Sequence, residues 1–321
     1  MDDTTISQLF SPLWDDVKKE DEFYNRKPLL AHYTSIQVLE SILKNDEIWF
    51  SNPLFMNDLK EVRFGILEGV NLIRNNVEIE RALRTPERVN LFKQHFEYYF
   101  NKFADDDVLD TYILCLAEHD ITNNDGALSM WRGYGCNASG ATIVFDSAKL
   151  TAVAGTPIII SKVNYATEKE QINWLKDTIS KFIAILNTTS IPDDKLYLAA
   201  FALFERIQIF ALFTKHHGFK EENEWRIVYM KDRDTSKKLE SMYSYFIGPR
   251  GIEPKLKFKL TPVPDFMSQD FSLIKLIDRI ILGPTTSSPL AKATIFRMLD
   301  IIGKSELKEK VYTSTIPFRP L

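Results

Sequence analysis

The alternation of apolar and polar positions divides the chain into short strands and amphipathic helices. LLAHYTS, Leu29 to Ser35, is short and apolar and predicts a strand. Thr34 with Gln37 fits a capping box, so a helix is expected next, with Ile36, Leu39, Ile42 and Leu43 on one face. IWFS, Ile48 to Ser51, predicts a second strand that Asn52-Pro53 ends. Asp58 to Asp106 is mostly helical by spacing, and Pro86 suits the first turn of a helix there. Strands are predicted at Thr111 to Ala117, Ala141 to Asp146, within Ile158 to Tyr165, and at Glu224 to Met230. Helical spacing recurs in Glu168 to Asn187, Asp193 to Lys215 and Ser288 to Ile302, while His119 to Gly126 (HDITNNDG) reads as a loop.

The most apolar stretch, Leu196 to Phe213, carries Glu205, Arg206 and Gln208 near its middle. A membrane span needs about 20 apolar residues with few charges, so this stretch predicts a buried core helix. Strands scattered among helices predict an α+β fold with a mixed central sheet. No Pro/Gly/Ser linker divides the chain. The expectation is one domain over 29–321, with helical insertions at about 58–106 and 168–215, behind an N-terminal extension, 1–28.

Composition narrows the function classes. A net charge of −4, from 40 basic and 44 acidic residues, argues against a nucleic-acid partner held by bulk charge alone. Two cysteines in 321 residues cannot form a disulfide framework and suggest a reduced, cytoplasmic setting. The acidic start, with Asp2, Asp3, Asp15 and Asp16, lacks the pattern of a signal peptide. No metal site is predicted: His216-His217 is an adjacent pair and there is no Cys-x-x-Cys. Walker and GxGxxG phosphate loops are also missing.

Three constellations could carry chemistry. In KEENEWRIV, strand alternation would set Glu222, Glu224 and Arg226 on one face and Trp225, Ile227 and Tyr229 on the core face. A solvated strand end with a Glu–Arg pair is the plain reading. Carboxylates held against a developing oxocarbenium are the functional one. His32, beside Tyr33, Thr34 and Ser35, sits where a strand turns into a helix and free backbone N–H groups could meet a polar ligand. In MWRGYGCNASG, Trp131 and Tyr134 at i, i+3 would share one face as core aromatics or as a stacking surface. Gly133, Gly135 and Gly140 would allow close backbone approach. Asn57-Asp58 with Glu61 is either a turn and helix start or a loop that selects an acceptor.

These pieces, in this order, resemble a bacterial family known as domain of unknown function 2971. The carrying segments are HYTS at His32, WFSNPLFMND at Trp49 with Glu61, ILCLAE at Ile113, MWRGYG and GATIVFD within Met130 to Asp146, EENEWRIV at Glu221 and IILGP at Ile280. More distantly, the order is similar to the ADP-ribosyltransferase fold. That resemblance implies an NAD-dependent ADP-ribosyltransferase or NAD glycohydrolase, in the setting of a bacterial toxin or antiphage effector. It implies catalytic Glu224 and Glu222, and NAD held by His32, Tyr33, Thr34, Trp131, Tyr134 and Arg226. It also implies an acceptor, protein or nucleic acid, chosen by Asn57, Asp58 and Glu61. Leu116-Ala117-Glu118 departs from the Ser-Thr-Ser of some branches. The alternative is a binding module for a nucleotide or nucleic acid on a degenerate transferase fold.

Overall fold

The structure, a computed structural model, describes residues 2–16, 22–56, 59–150, 156–248, 251–263 and 266–318. The chain divides into two compact units: residues 1–21, 52–111 and 163–219 form one, and 22–51, 112–162 and 220–321 the other.

In chain order the described strands are β1 (Leu29–Thr34), β2 (Glu47–Ser51), β3 (Thr111–His119), β4 (Ala141–Asp146), β5 (Ile158–Lys162), β6 (Asn164–Ala166), β7 (Thr214–His216), β8 (Glu224–Met230), β9 (Tyr243–Gly248), β10 (Gly251–Lys259), β11 (Ile277–Leu282) and β12 (Val311–Thr313). β6 and β7 pair in parallel within the first unit.

That first unit is otherwise helical. Its helices include Leu59–Arg74, Val77–Leu83, Pro86–Lys102, Glu168–Thr188 and Leu196–Leu212. Local chemistry sets their ends. Pro86 opens its helix behind a Thr85 cap, and Thr167 and Glu170 complete a capping box for the next. Leu196–Leu212 is buried along most of its length. No helix among the described residues is long and apolar enough to cross a membrane. The charge in its middle is accommodated by specific partners. The buried Arg206 guanidinium donates Nε–H to the Leu13 carbonyl at 2.9 Å and pairs with Asp16. It lies 4.4 Å from the Trp174 ring and 5.0 Å from that of Trp14, and Trp174 stacks on Phe210 at 3.7 Å. A guanidinium is tolerated in such a core because its charge and its N–H donors are met there.

The second unit is built on a ten-stranded sheet. The path β12-β11-β4-β1-β3-β2-β10-β9 is extended by β8, which pairs with β3, and by β5, which pairs with β8. The sheet is mixed: β11 runs parallel to β12, whereas β1–β4, β10–β2 and β5–β8 are antiparallel. The fold is therefore α+β. One face carries the larger core, including Leu30, Leu114, Leu116, Ile143, Trp225, Ile227 and Tyr229. The other carries a smaller cluster of Ala31, Tyr33, Ala117, Met130, Trp131, Val144 and Ile281.

Two local readings are corrected. Ser35 caps the first helix of this unit, its hydroxyl accepting from Val38 N–H at 3.1 Å, so the Thr34–Gln37 box does not form. Thr34 is still the last residue of β1, paired with Ala141, and is buried there. Glu222 ends a 3₁₀ turn, His217–Glu222, and does not share the strand of Glu224. Asn223 separates them with a positive φ of 44°.

Breaking the Arg206 pair tests the helical core. Arg206→Ala leaves a void between two tryptophans and removes the cation paired with Asp16. It is expected to lower unfolding stability by about 3 kcal/mol, read as a shift of the urea midpoint. Arg206→Met, which keeps the packed stem, should lose clearly less.

Candidate functional site

A polar cleft of about 310 Å³ lies within the sheet unit. It is lined by the end of β3 (Ala117, Glu118, His119), Asp120 and Asn123 of the following loop, Tyr33 of β1, Ala127 and Met130, and Glu221, Glu222 and Asn223 ahead of β8. β3 and β8 build it together, since Glu118 N–H donates to the Asn223 carbonyl at 2.9 Å.

The acidic side chains of the lining are Asp120, Glu221 and Glu222, with no Lys or Arg, while Glu118 borders the cleft along β3 with its carboxylate turned to the Trp225 face. Glu118 is tied down: it accepts from Lys162 Nζ and from the Trp225 indole N–H, each at 3.0 Å, and pairs with Arg26. Burial pushes its carboxyl up, but the Trp225 and Lys162 hydrogen bonds and both cations outweigh this and hold it below the usual range. Glu222 is half-buried and accepts from the Tyr134 hydroxyl at 2.7 Å. Burial keeps the His119 ring neutral, its pKa lowered even though it bonds the Asn123 carbonyl at 2.8 Å.

The residues singled out from sequence separate into groups. Tyr33, Tyr134 and Glu222 come together at the cleft. Tyr33 is buried, and its hydroxyl accepts from Ala127 N–H at 2.9 Å. Trp131, expected as a stacking surface, is fully buried. Its ring packs edge-on to Tyr33 at 4.9 Å and its indole donates to the Asp125 carbonyl at 2.8 Å. The short helix Leu128–Gly133 stops before Tyr134, so the two aromatics do not share a face. Tyr134 is 43% exposed. The close approach at Gly135 and Gly140 is to the protein itself: a Cβ on Gly140 would sit 2.0 Å from the Thr34 carbonyl oxygen, whereas one on Gly133 would meet nothing within 4 Å.

Glu224 and Arg226 do not face a pocket or solvent. Every residue of β8 is buried. Glu224 is 4% exposed and accepts from Arg226 Nε at 2.8 Å, and Arg226 is itself fully buried. Trp225, Ile227 and Tyr229 do occupy the core face as expected.

His32 is on the other side of the sheet from Glu224. β1 pairs Leu30 with Glu118, and Glu118 accepts from Trp225, so Leu30 and Trp225 share a face. Alternation then gives His32 that same face and Glu224 the opposite one. The His32 ring donates to the Cys115 carbonyl, in the stretch of β3 between its pairing with β1 at Ala31 and with β2 at Ser51. Desolvation lowers its pKa to about 4, against the partial compensation of that hydrogen bond. Asn57 and Asp58 lie outside the described residues, as does the Glu61 side chain.

Glu118, His119, Asp120, Glu221 and Asn223 were not singled out. A charge closing the apolar run ILCLAE was the available signal for Glu118.

Residues 130–227 match the model of the family described as Protein of unknown function (DUF2971). The match spans the MWRGYG, GATIVFD and EENEWRI segments, about a third of the chain. No curated protein and no solved structure matches the chain.

The neutral His32 predicts a pH dependence. The unfolded ring gains its proton near pH 6.5 and the folded ring only near 4. Stability is therefore full above about 6.5 and falls as pH drops towards 4, where the unfolded state binds more protons. His119 acts in the same direction. His32→Gln should flatten this slope in urea midpoints measured from about pH 7.5 to 4.5. Parallel profiles for the two proteins would mean that the ring titrates normally.

Proposed function

We propose that this chain, which is similar to the DUF2971 model over residues 130–227, binds the base-and-ribose end of a nucleotide in the acidic cleft, as a recognition module that leaves the ligand intact. The acidic lining of that cleft carries the reading. Carboxylates accept hydrogen bonds from ribose hydroxyls and exocyclic amines. With no Lys or Arg in the lining, a phosphate finds no counter-charge there and would remain at the solvent side. Tyr134, partly exposed and bonded to Glu222, offers a ring face to a base.

The catalytic assignment to Glu224 loses its support. Its charge is matched by Arg226 in a buried pair, and a carboxylate already neutralised and shut from solvent has little left for a developing cation. His32, its expected partner on the ribose, points away on the opposite face.

Cleavage of NAD by an ADP-ribosyltransferase-like or glycohydrolase route is a second reading, with Glu222 in the role first given to Glu224. The half-buried Glu222, oriented by Tyr134 in a cleft that suits a cationic nicotinamide ring, favours it. In that route the nicotinamide–ribose bond breaks and its electron pair leaves with the nicotinamide. The carboxylate stabilises the anomeric cation until water or an acceptor adds.

One pair of measurements separates the two. Calorimetry with adenosine and with NAD should detect binding, and Glu222→Gln should weaken it about tenfold, the value of one charge-assisted hydrogen bond. Chromatography of the same NAD mixtures should find no free nicotinamide. Nicotinamide release by the wild type that falls on the order of 10²-fold in Glu222→Gln would establish the second reading. No binding of either compound would discard both.

A further inference from the structure

We infer that the sheet unit has a second, apolar ligand site within its larger core, for a molecule about one ring in size bearing a single hydroxyl or carbonyl group. A cavity of about 110 Å³ lies there, walled by side chains such as Leu116, Phe145, Ile160, Ile227, Phe258 and Phe271. The core face on which it lies carries Trp225 and is therefore opposite to Glu224. Natural interiors are packed with few voids larger than a water molecule. An apolar cavity of about 150 Å³ stays dry and admits benzene, so this volume is of the size that takes a small ring. Water is a poor occupant, because it would find almost no polar partners among these walls.

The second observation is Ser147. It lines the cavity, is 2% exposed, and its hydroxyl has no hydrogen-bond partner. The other hydroxyl of the lining, Thr156, is spoken for by the Ile158 carbonyl at 3.3 Å. A buried hydroxyl left unsatisfied is destabilising, and native proteins seldom retain one without a use. Backbone geometry does not require the serine here: Ser147 opens the 3₁₀ turn Ser147–Lys149, whose cap is the Asp146 side chain. An apolar void with one unpaired hydroxyl in its wall matches a ligand whose body is apolar and whose single polar atom meets Ser147 Oγ. The hydroxyl can donate to a carbonyl or accept from a hydroxyl.

Phenol and toluene are suitable probes, since they share a ring and differ in the polar group. Both should raise the thermal unfolding temperature of the full chain in a concentration-dependent way. Ser147→Ala should weaken phenol about fivefold, the value of one neutral hydrogen bond, and leave toluene within about twofold. It should also raise the unfolding temperature of the ligand-free protein, because it deletes an unsatisfied buried group. Ile227→Phe, which fills the cavity, should abolish the response to both probes while the circular dichroism spectrum is retained. No response of the wild type to either probe at millimolar concentration would overturn the site. Phenol affinity unchanged in Ser147→Ala, or a Ser147→Ala protein less stable than wild type, would overturn the role of the hydroxyl.

Discussion

The hydrogen bond from the Trp225 indole to Glu118 sets the orientation of the sheet unit. It joins β8 to β3 at one side chain while Lys162 of β5 and Arg26 bring their charges to the same carboxylate. A partly buried carboxylate is held ionised by such partners, and once they are in place the face of every residue on β8 follows. Trp225, Ile227 and Tyr229 go to the larger core with Leu30 and Leu116. Glu224 and Arg226 go to the reverse side. The same carboxylate also ends the apolar part of β3, so the cleft begins where the buried strand gives way to His119 and Asp120.

Buried charge is handled alike in both units. Arg226 is matched by Glu224 on its own strand, and Arg206 by Asp16, the Leu13 carbonyl and two indole rings. Each guanidinium is held by partners of defined geometry, which suits the planar, many-donor head of arginine better than a lysine would. Such pairs add little net stability over apolar packing but are costly to break. Arg226, with the residue type and spacing of a ligand-binding group, is buried and paired with Glu224.

The two ligand sites proposed for the sheet unit differ in physics. The cleft is polar and lined by carboxylates, so recognition there rests on hydrogen bonding and charge sign. The cavity in the larger core is apolar apart from its hydroxyls, so recognition there rests on volume and on the one unsatisfied group. β3 contributes to both, Ala117 and His119 to the first and Leu114 and Leu116 to the second. Alternation along a single strand provides the two chemistries.

Much of the fold was legible in the residues. Alternation in EWRIVYM identified Trp225, Ile227 and Tyr229 as core, because a strand sends successive side chains to opposite faces whatever surrounds it. Pro86 marked a helix start, and the charges within Leu196 to Phe213 argued for a core helix, because these effects act within a few residues. What lies against the second face of a strand is a tertiary matter, and it left Glu224 and Arg226 buried where alternation alone suggested a pocket. Whether His32 and Glu224 meet depended on the register of β1, β3 and β8, which joins residues far apart in the chain. Even the pairing of Trp131 with Tyr134 failed on one local event, a helix that ends at Gly133 and so turns the tyrosine out to Glu222. The sequence by itself determined many of the strands and helices, and which side chains are apolar enough to demand a core. The tertiary structure alone decided which polar residues share a cleft, since that depends on strand register and on which charges are neutralised in the interior.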